Sequence, residues 1–191
     1  RDELIKMLTA RGQSRGVRLM FESGLLDAVL PEISAMYGIK QPPQYHPEGD
    51  VLTHTLLALD LLPQPCPITL ALGVMLHDVG KPIAAALLLD AERNREPQQE
   101  AWMGADAWMS VVNECQREVG VALARAWNLQ DEVLFAIARC DRYSQENSPA
   151  SIVCFANALA KRAAPYPGQV DTVTNDALLR EGQALLKLDD E

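Results

Sequence analysis

The segment from Ile68 to Pro82 constrains this chain more than any other. Ile68 to Leu76 is apolar at nearly every position and runs straight into His77-Asp78-Val79-Gly80-Lys81-Pro82. A run of that length and character reads as a buried helix. Gly80 is suited to ending it and Pro82 to opening the next. His77 and Asp78 then fall at the C-terminal end, where the helix dipole favours a cation. An imidazole beside a carboxylate is a mixed nitrogen–oxygen donor set. It suits Mn, Fe, Co, Ni, Zn or Mg rather than a thiolate-type centre.

His54 supplies the second imidazole. Asp50 can cap a helix from Val51 to Leu62, with His54 on its first turns and Leu52, Leu56, Leu57 and Leu61 available to a core. Pro63, Pro65 and Pro67 form a connector, so the two helices are expected to run antiparallel. Facing helices of this kind are where bundle metal sites are built.

The rest of the chain keeps the same period. Asp2 to Thr9 reads as a short helix, Ser14 as an N-cap, and Val17 to Gly24 as the helix it starts. Leu25 to Leu30 stops at Pro31, and Ile33 to Tyr37 adds a short turn. Lys40 to Gly49 is a loop. Ile83 to Leu89 begins another helix, and Asp90 to Glu100 reads as an exposed loop. Ala101 to Val112, with Trp102, Met103, Trp108 and Met109, reads as core packing. Cys115 to Trp127 and Gln130 to Arg139 are amphipathic, the latter with Asp131 as a possible cap. Pro149 opens a helix that runs to Arg162, Pro165 to Gly168 is a turn, and Asn175 to Leu188 is the final helix. No segment alternates with the period of a strand, so the fold is expected to be all-α.

Composition narrows the class. With 48% apolar and 23% charged residues the chain is an ordinary globular one. It has no run of 18 apolar residues and no signal-peptide pattern, so no membrane span and a cytoplasmic location are expected. Cys66, Cys115, Cys140 and Cys154 show no paired spacing and read as free thiols. A net charge of −9 argues against non-specific nucleic-acid binding, which needs a basic footprint.

Three stretches carry a family likeness: Tyr45-His46-Pro47-Glu48-Gly49-Asp50-Val51, His54-Thr55-Leu56, and Leu76 to Pro82. Together they resemble the signature of the HD superfamily of metal-dependent phosphohydrolases. The likeness is greatest to the HD domain of bacterial tRNA nucleotidyltransferases (CCA-adding enzymes) and related poly(A) polymerases. Gly24 to Glu32 is similar to that group as well. The resemblance implies a helical bundle with short loops: an N-terminal helical segment over 1–49, an HD-like domain over 50–165, and a C-terminal helix and acidic tail over 166–191. It also implies a metal site of His54, His77 and Asp78, which a later Asp usually completes. The strand-built nucleotidyltransferase head is not among these residues.

The second half departs from that pattern. Glu118 to Leu129 is similar to the HDOD branch, whose members usually lack demonstrated hydrolysis. Metal-rich relatives carry a further His just before the position of Gly120, where Gln116 stands nearest, and Cys140-Asp141 occupies the region of a His pair. In Phe155-Ala156-Asn157-Ala158-Leu159-Ala160, Asn157 stands at the last Asp position. An amide oxygen can ligate a hard cation but brings no charge, so a weakly held divalent ion is expected.

The expected function is a metal-dependent phosphomonoesterase or phosphodiesterase acting on a nucleotide or another small phosphorylated ligand. His54, His77, Asp78 and Asn157 would hold the metal. Asp78 and Lys81 would be the catalytic pair: Asp78 orients a water, and Lys81 neutralises phosphate charge. His46, Glu48 and Lys81 would line the substrate side. The alternative is a non-catalytic HDOD-like regulatory or binding domain. A weaker alternative is a detached RNA-binding region of the nucleotidyltransferase type.

Overall fold

The computed structural model describes residues 1–39, 49–95, 103–144, 149–163 and 172–187. Eleven helices follow in order among these residues: α1 (Asp2–Thr9), α2 (Gln13–Glu22), α3 (Leu25–Val29), α4 (Pro31–Ser34), α5 (Val51–Asp60), α6 (Ile68–Leu76), α7 (Gly80–Arg93), α8 (Ala105–Ala126), α9 (Asp131–Ala138), α10 (Pro149–Arg162) and α11 (Thr172–Leu186). There is no strand among the described residues beyond a single bridge residue at Asp50, and the fold is all-α.

Local chemistry explains most of the boundaries. Asp50 caps α5: one carboxylate oxygen accepts from the Thr53 backbone N–H at 2.8 Å. The other accepts from the Gly38 N–H at 2.9 Å, which ties the preceding turn to the same cap. At α2 the expected cap is displaced. Gly12 takes the N-cap position with φ 85°, a left-handed conformation that glycine adopts without strain. Ser14 is buried inside the helix instead. At α9 the N-cap is Gln130, with Asp131 as the first helical residue near the positive end of the dipole.

Two sequence expectations change in the α7–α8 region. The helix that begins after the site runs on to Arg93, so Asp90 to Arg93 belongs to α7 rather than to a loop. Ala105 to Ala126 is one helix rather than two, because Asn113 and Glu114 contain neither Gly nor Pro to break it. The Pro165–Gly168 turn, Trp102 and the acidic tail lie outside the described residues.

The core is continuous from the first helices to α10. Leu8, Val17, Leu26, Ile33 and Met36 share one buried cluster with Leu59, Met75, Leu76, Ile137 and Val153. Each such fully buried side chain contributes about 1.5–3 kcal/mol, so the N-terminal helices are fastened to the rest. A buried polar contact reinforces them: Gln13 donates to the Leu59 carbonyl at 3.1 Å and accepts from Gln64 at 2.6 Å. At the centre lie α5, α6, α9 and α10. The stretch Ile68–Arg93 is long and apolar enough to cross a membrane by length and composition, contrary to the expectation from apolar runs alone. It bends at His77–Val79, and 67% of its most apolar window is buried against other helices, as a core element would be.

Candidate metal centre

His77 is placed by the end of its own helix. It is the C-cap of α6, and its Nδ1 lies 2.7 Å from the Val74 carbonyl, one turn back. That carbonyl is one of the orphan acceptors at a helix terminus. It fixes the imidazole as the Nδ1–H tautomer and leaves the Nε2 lone pair pointing away from the helix.

The His77 Nε2 faces the Nε2 of His54 at 3.2 Å. His54 comes from the first turn of α5, so the start of α5 meets the end of α6, as antiparallel neighbours do. With the His77 proton on Nδ1, His54 is the donor in this metal-free pair, and ligation through its Nε2 needs that proton on its Nδ1 instead. Asp78, the next residue in the chain, places its carboxylate 3.5 Å from the His77 Nε2. One donor atom from each of His54, His77 and Asp78 lies within 4.8 Å of the others, and all three residues are buried. Lys81, one turn on, donates to the same Asp78 oxygen at 2.6 Å and is itself only 6% exposed.

Electrostatics sets the protonation. Burial pushes His77 from its ordinary 6.5 down to about 4, against the pull of the Asp78 carboxylate and with some help from His54. The imidazole is therefore neutral at neutral pH, as a metal ligand must be. Asp78 and Lys81 form a buried ion pair at 2.6 Å.

The surrounding helices close on this point through a glycine contact. The Gly80 backbone abuts that of Gln116 on α8, and a Cβ at Gly80 would overlap the Gln116 carbonyl. Gly120 lies across the same crossing. Gly80 thus starts α7 and permits the close approach; it does not end α6 in a left-handed turn, as its sequence position suggested. From the turn after α9 comes Cys140, whose thiol lies 4.0 Å from the His77 carbonyl. Burial raises this thiol to about 12, with Asp78 and Asp141 adding to the shift and Arg117 and Lys81 opposing it. Asp141 pairs with Arg117 on α8 at 2.9 Å.

Of the residues singled out from sequence, His54, His77, Asp78 and Lys81 come together. Asn157 stands at one remove: its amide donates to the Cys140 carbonyl at 3.3 Å. Its Oδ1 is enclosed without a hydrogen-bond partner among the described residues. Gln116 is buried, and its Oε1 is likewise unpartnered. His46 and Glu48 lie outside the described residues. Sequence reading missed the Val74 carbonyl, although a His at a helix end commonly bonds backward to it. It also missed the Arg117–Asp141 pair, for which no local signal exists.

Bound here, an ion would have suitable donors. Two ligands on an ion at about 2.0–2.1 Å stand roughly 3 Å apart, close to the 3.2 Å between the imidazole nitrogens. Asn157 Oδ1, enclosed and without a partner among the described residues, is a neutral oxygen acceptor whose side chain is held on the Cys140 carbonyl.

Known proteins add a second line of observation. A family profile described as the probable RNA and SrmB-binding site of polymerase A matches residues 1–37. The chain is 37% identical over 95 residues to a multifunctional CCA protein of Halorhodospira halophila, covering 49% of this chain and 23% of that protein. It is 48% identical over 67 residues to that of Alkalilimnicola ehrlichii, covering 34% of this chain and 16% of the relative. It is 28% identical over 180 residues to that of Polaromonas naphthalenivorans, covering 86% of this chain and 42% of the relative. The chain thus spans less than half the length of each of these relatives. No solved structure matches. The chain is similar to the multifunctional CCA proteins, and the likeness to the Polaromonas protein extends over most of its own length.

Proposed function

We propose that this chain is an HD-type phosphohydrolase region of a CCA-type protein, with a weakly held divalent ion at His54, His77 and Asp78 and phosphate esters as substrates. The observation that carries this reading is the convergence of two imidazole nitrogens and a carboxylate on one buried point. A divalent ion in such a site supplies Lewis acidity toward a phosphoryl oxygen and lowers the pKa of a bound water. The chain's own groups do the rest. The Val74 carbonyl holds His77 in the ligand tautomer. Asp78 accepts a proton or orients a water through its carboxylate. Lys81 offsets phosphate charge as a point cation.

The donor set argues for weak affinity. Neither an imidazole ligand nor Asn157 brings charge, and Asp78 is already paired with Lys81. The test is a screen of phosphomonoesters and phosphodiesters with added Mn, Ni, Co or Mg. Metal-dependent turnover that disappears in His77→Gln is the expected result. Metal binding without turnover on any ester would point to the non-catalytic, HDOD-like alternative.

A second reading concerns RNA, and the match over residues 1–37 favours it. Lys6, Arg11, Arg15 and Arg18 are all exposed, and no Asp or Glu occurs from Leu4 to Phe21. The overall charge of −9 is an average that conceals this basic stretch, in which Lys6 pairs with Glu3 at 2.7 Å. Nucleic acid responds to the local footprint, not to the total. The N-terminal helices are proposed to contact RNA beside the phosphohydrolase core.

A further inference from the structure

The candidate centre is sealed. His54, His77, Asp78 and Lys81 are each 6% exposed or less, so a phosphate ester needs a point of entry and a group to receive it. Two partly exposed charges, Arg117 and Asp141, act on the buried Cys140 thiol together with Asp78 and Lys81. At the start of α7, Gly80 abuts the backbone of Gln116, and Arg117 is the next residue on α8. The Cys140 thiol packs on the His77 carbonyl and sets Asp141 one residue away. Arg117 and Asp141 then meet at 2.9 Å, with side-chain exposures of 29% and 41%.

We propose that Arg117 is the phosphate-recognition residue of this site, exchanging the Asp141 carboxylate for a phosphate group on the substrate. The inference rests on the phosphohydrolase reading above. A guanidinium offers five N–H donors in a planar fork suited to phosphate, and the Asp141 contact occupies one edge of it. With Lys81 further in, the site presents two cations in sequence, one at the surface and one buried. This arrangement takes over the charge-neutralising role that a second metal would have needed further histidines to fill. Asp141 acts as the resident competitor that holds the guanidinium in place until an anion arrives. The ligand class is a phosphate ester, and inorganic phosphate is its simplest probe.

The experiment is a calorimetric titration of inorganic phosphate into the full chain, stripped of metal by chelation. Wild type, Arg117→Gln, Asp141→Asn and Arg125→Gln are compared after circular dichroism shows equal helix content. Arg117→Gln is expected to weaken phosphate binding at least tenfold. Asp141→Asn is expected to tighten it several-fold, because it frees the guanidinium and removes a repelling charge. Arg125→Gln, at an exposed arginine further along α8, is expected to leave it unchanged. Equal phosphate affinity in wild type and Arg117→Gln, or no binding to wild type at tens of millimolar, would overturn the assignment. A parallel Mn titration separates the two claims: Arg117→Gln retains Mn binding if only the anion contact is lost. Failure of Mn to bind wild type would strike the metal reading while leaving the phosphate result to stand alone.

Discussion

His77 illustrates how much one backbone carbonyl decides. Because Val74 takes its Nδ1 proton, the ring can offer only Nε2 to its neighbours, and burial keeps it neutral. A depressed folded-state pKa means that the unfolded chain takes up the proton first. The stability His77 contributes is therefore complete above about pH 6.5 and lost as pH falls toward 4. Urea unfolding across that window should show a decline of about 1.4 kcal/mol per pH unit from this residue, and His77→Gln should flatten it. Asn157 makes the complementary case. Asn157→Asp keeps the shape and adds a charge, so it should raise Mn affinity by about tenfold or more. It also loses the donor to the Cys140 carbonyl, at a cost of about 1–2 kcal/mol in metal-free protein. Calorimetry and thermal melts with and without Mn read both effects. Equal Mn affinities in two folded proteins would remove Asn157 from the site.

Among the helices, the crossing of α7 with α8 is the contact on which the site depends. Gly80 has no room for a side chain against the Gln116 carbonyl. Gly80→Ala must therefore separate two backbones, and a loss of about 3 kcal/mol is expected. A thermal melt checks this, and a variant as stable as wild type would mean the helices part easily. The same element shows what can be read without coordinates. His54, His77, Asp78 and Lys81 are legible because helical spacing, the Asp50 cap and the proline connector set their placement locally. The Gly80–Gln116 contact and the Arg117–Asp141 pair are not legible, because they join residues distant in sequence by packing alone. Gly80 looked like a helix terminator for the same reason: its neighbour on α8 is invisible in the local sequence. The merging of two expected helices into α8 follows from the weak signal between Val112 and Cys115, where polar residues without Gly or Pro permit either outcome.

Across the whole molecule, charge is segregated rather than uniform. The acid-free stretch from Leu4 to Phe21 sits on a chain whose total is −9. Reversing Arg15 and Arg18 to Glu should lower affinity for a short RNA hairpin and reduce the slope of log affinity against log salt by roughly 2. Fluorescence anisotropy over a salt series measures both, and an unchanged slope would place any RNA contact elsewhere. The buried cluster remains the central claim, and metal uptake tests it most directly. Chelator-stripped protein should be titrated with Mn and with Ni, alongside His54→Gln and His77→Gln variants of matched helix content. The account predicts one weakly bound ion per wild-type chain and none in either variant. Wild type that takes up no ion at millimolar concentration, or variants that bind as well as wild type, would contradict it.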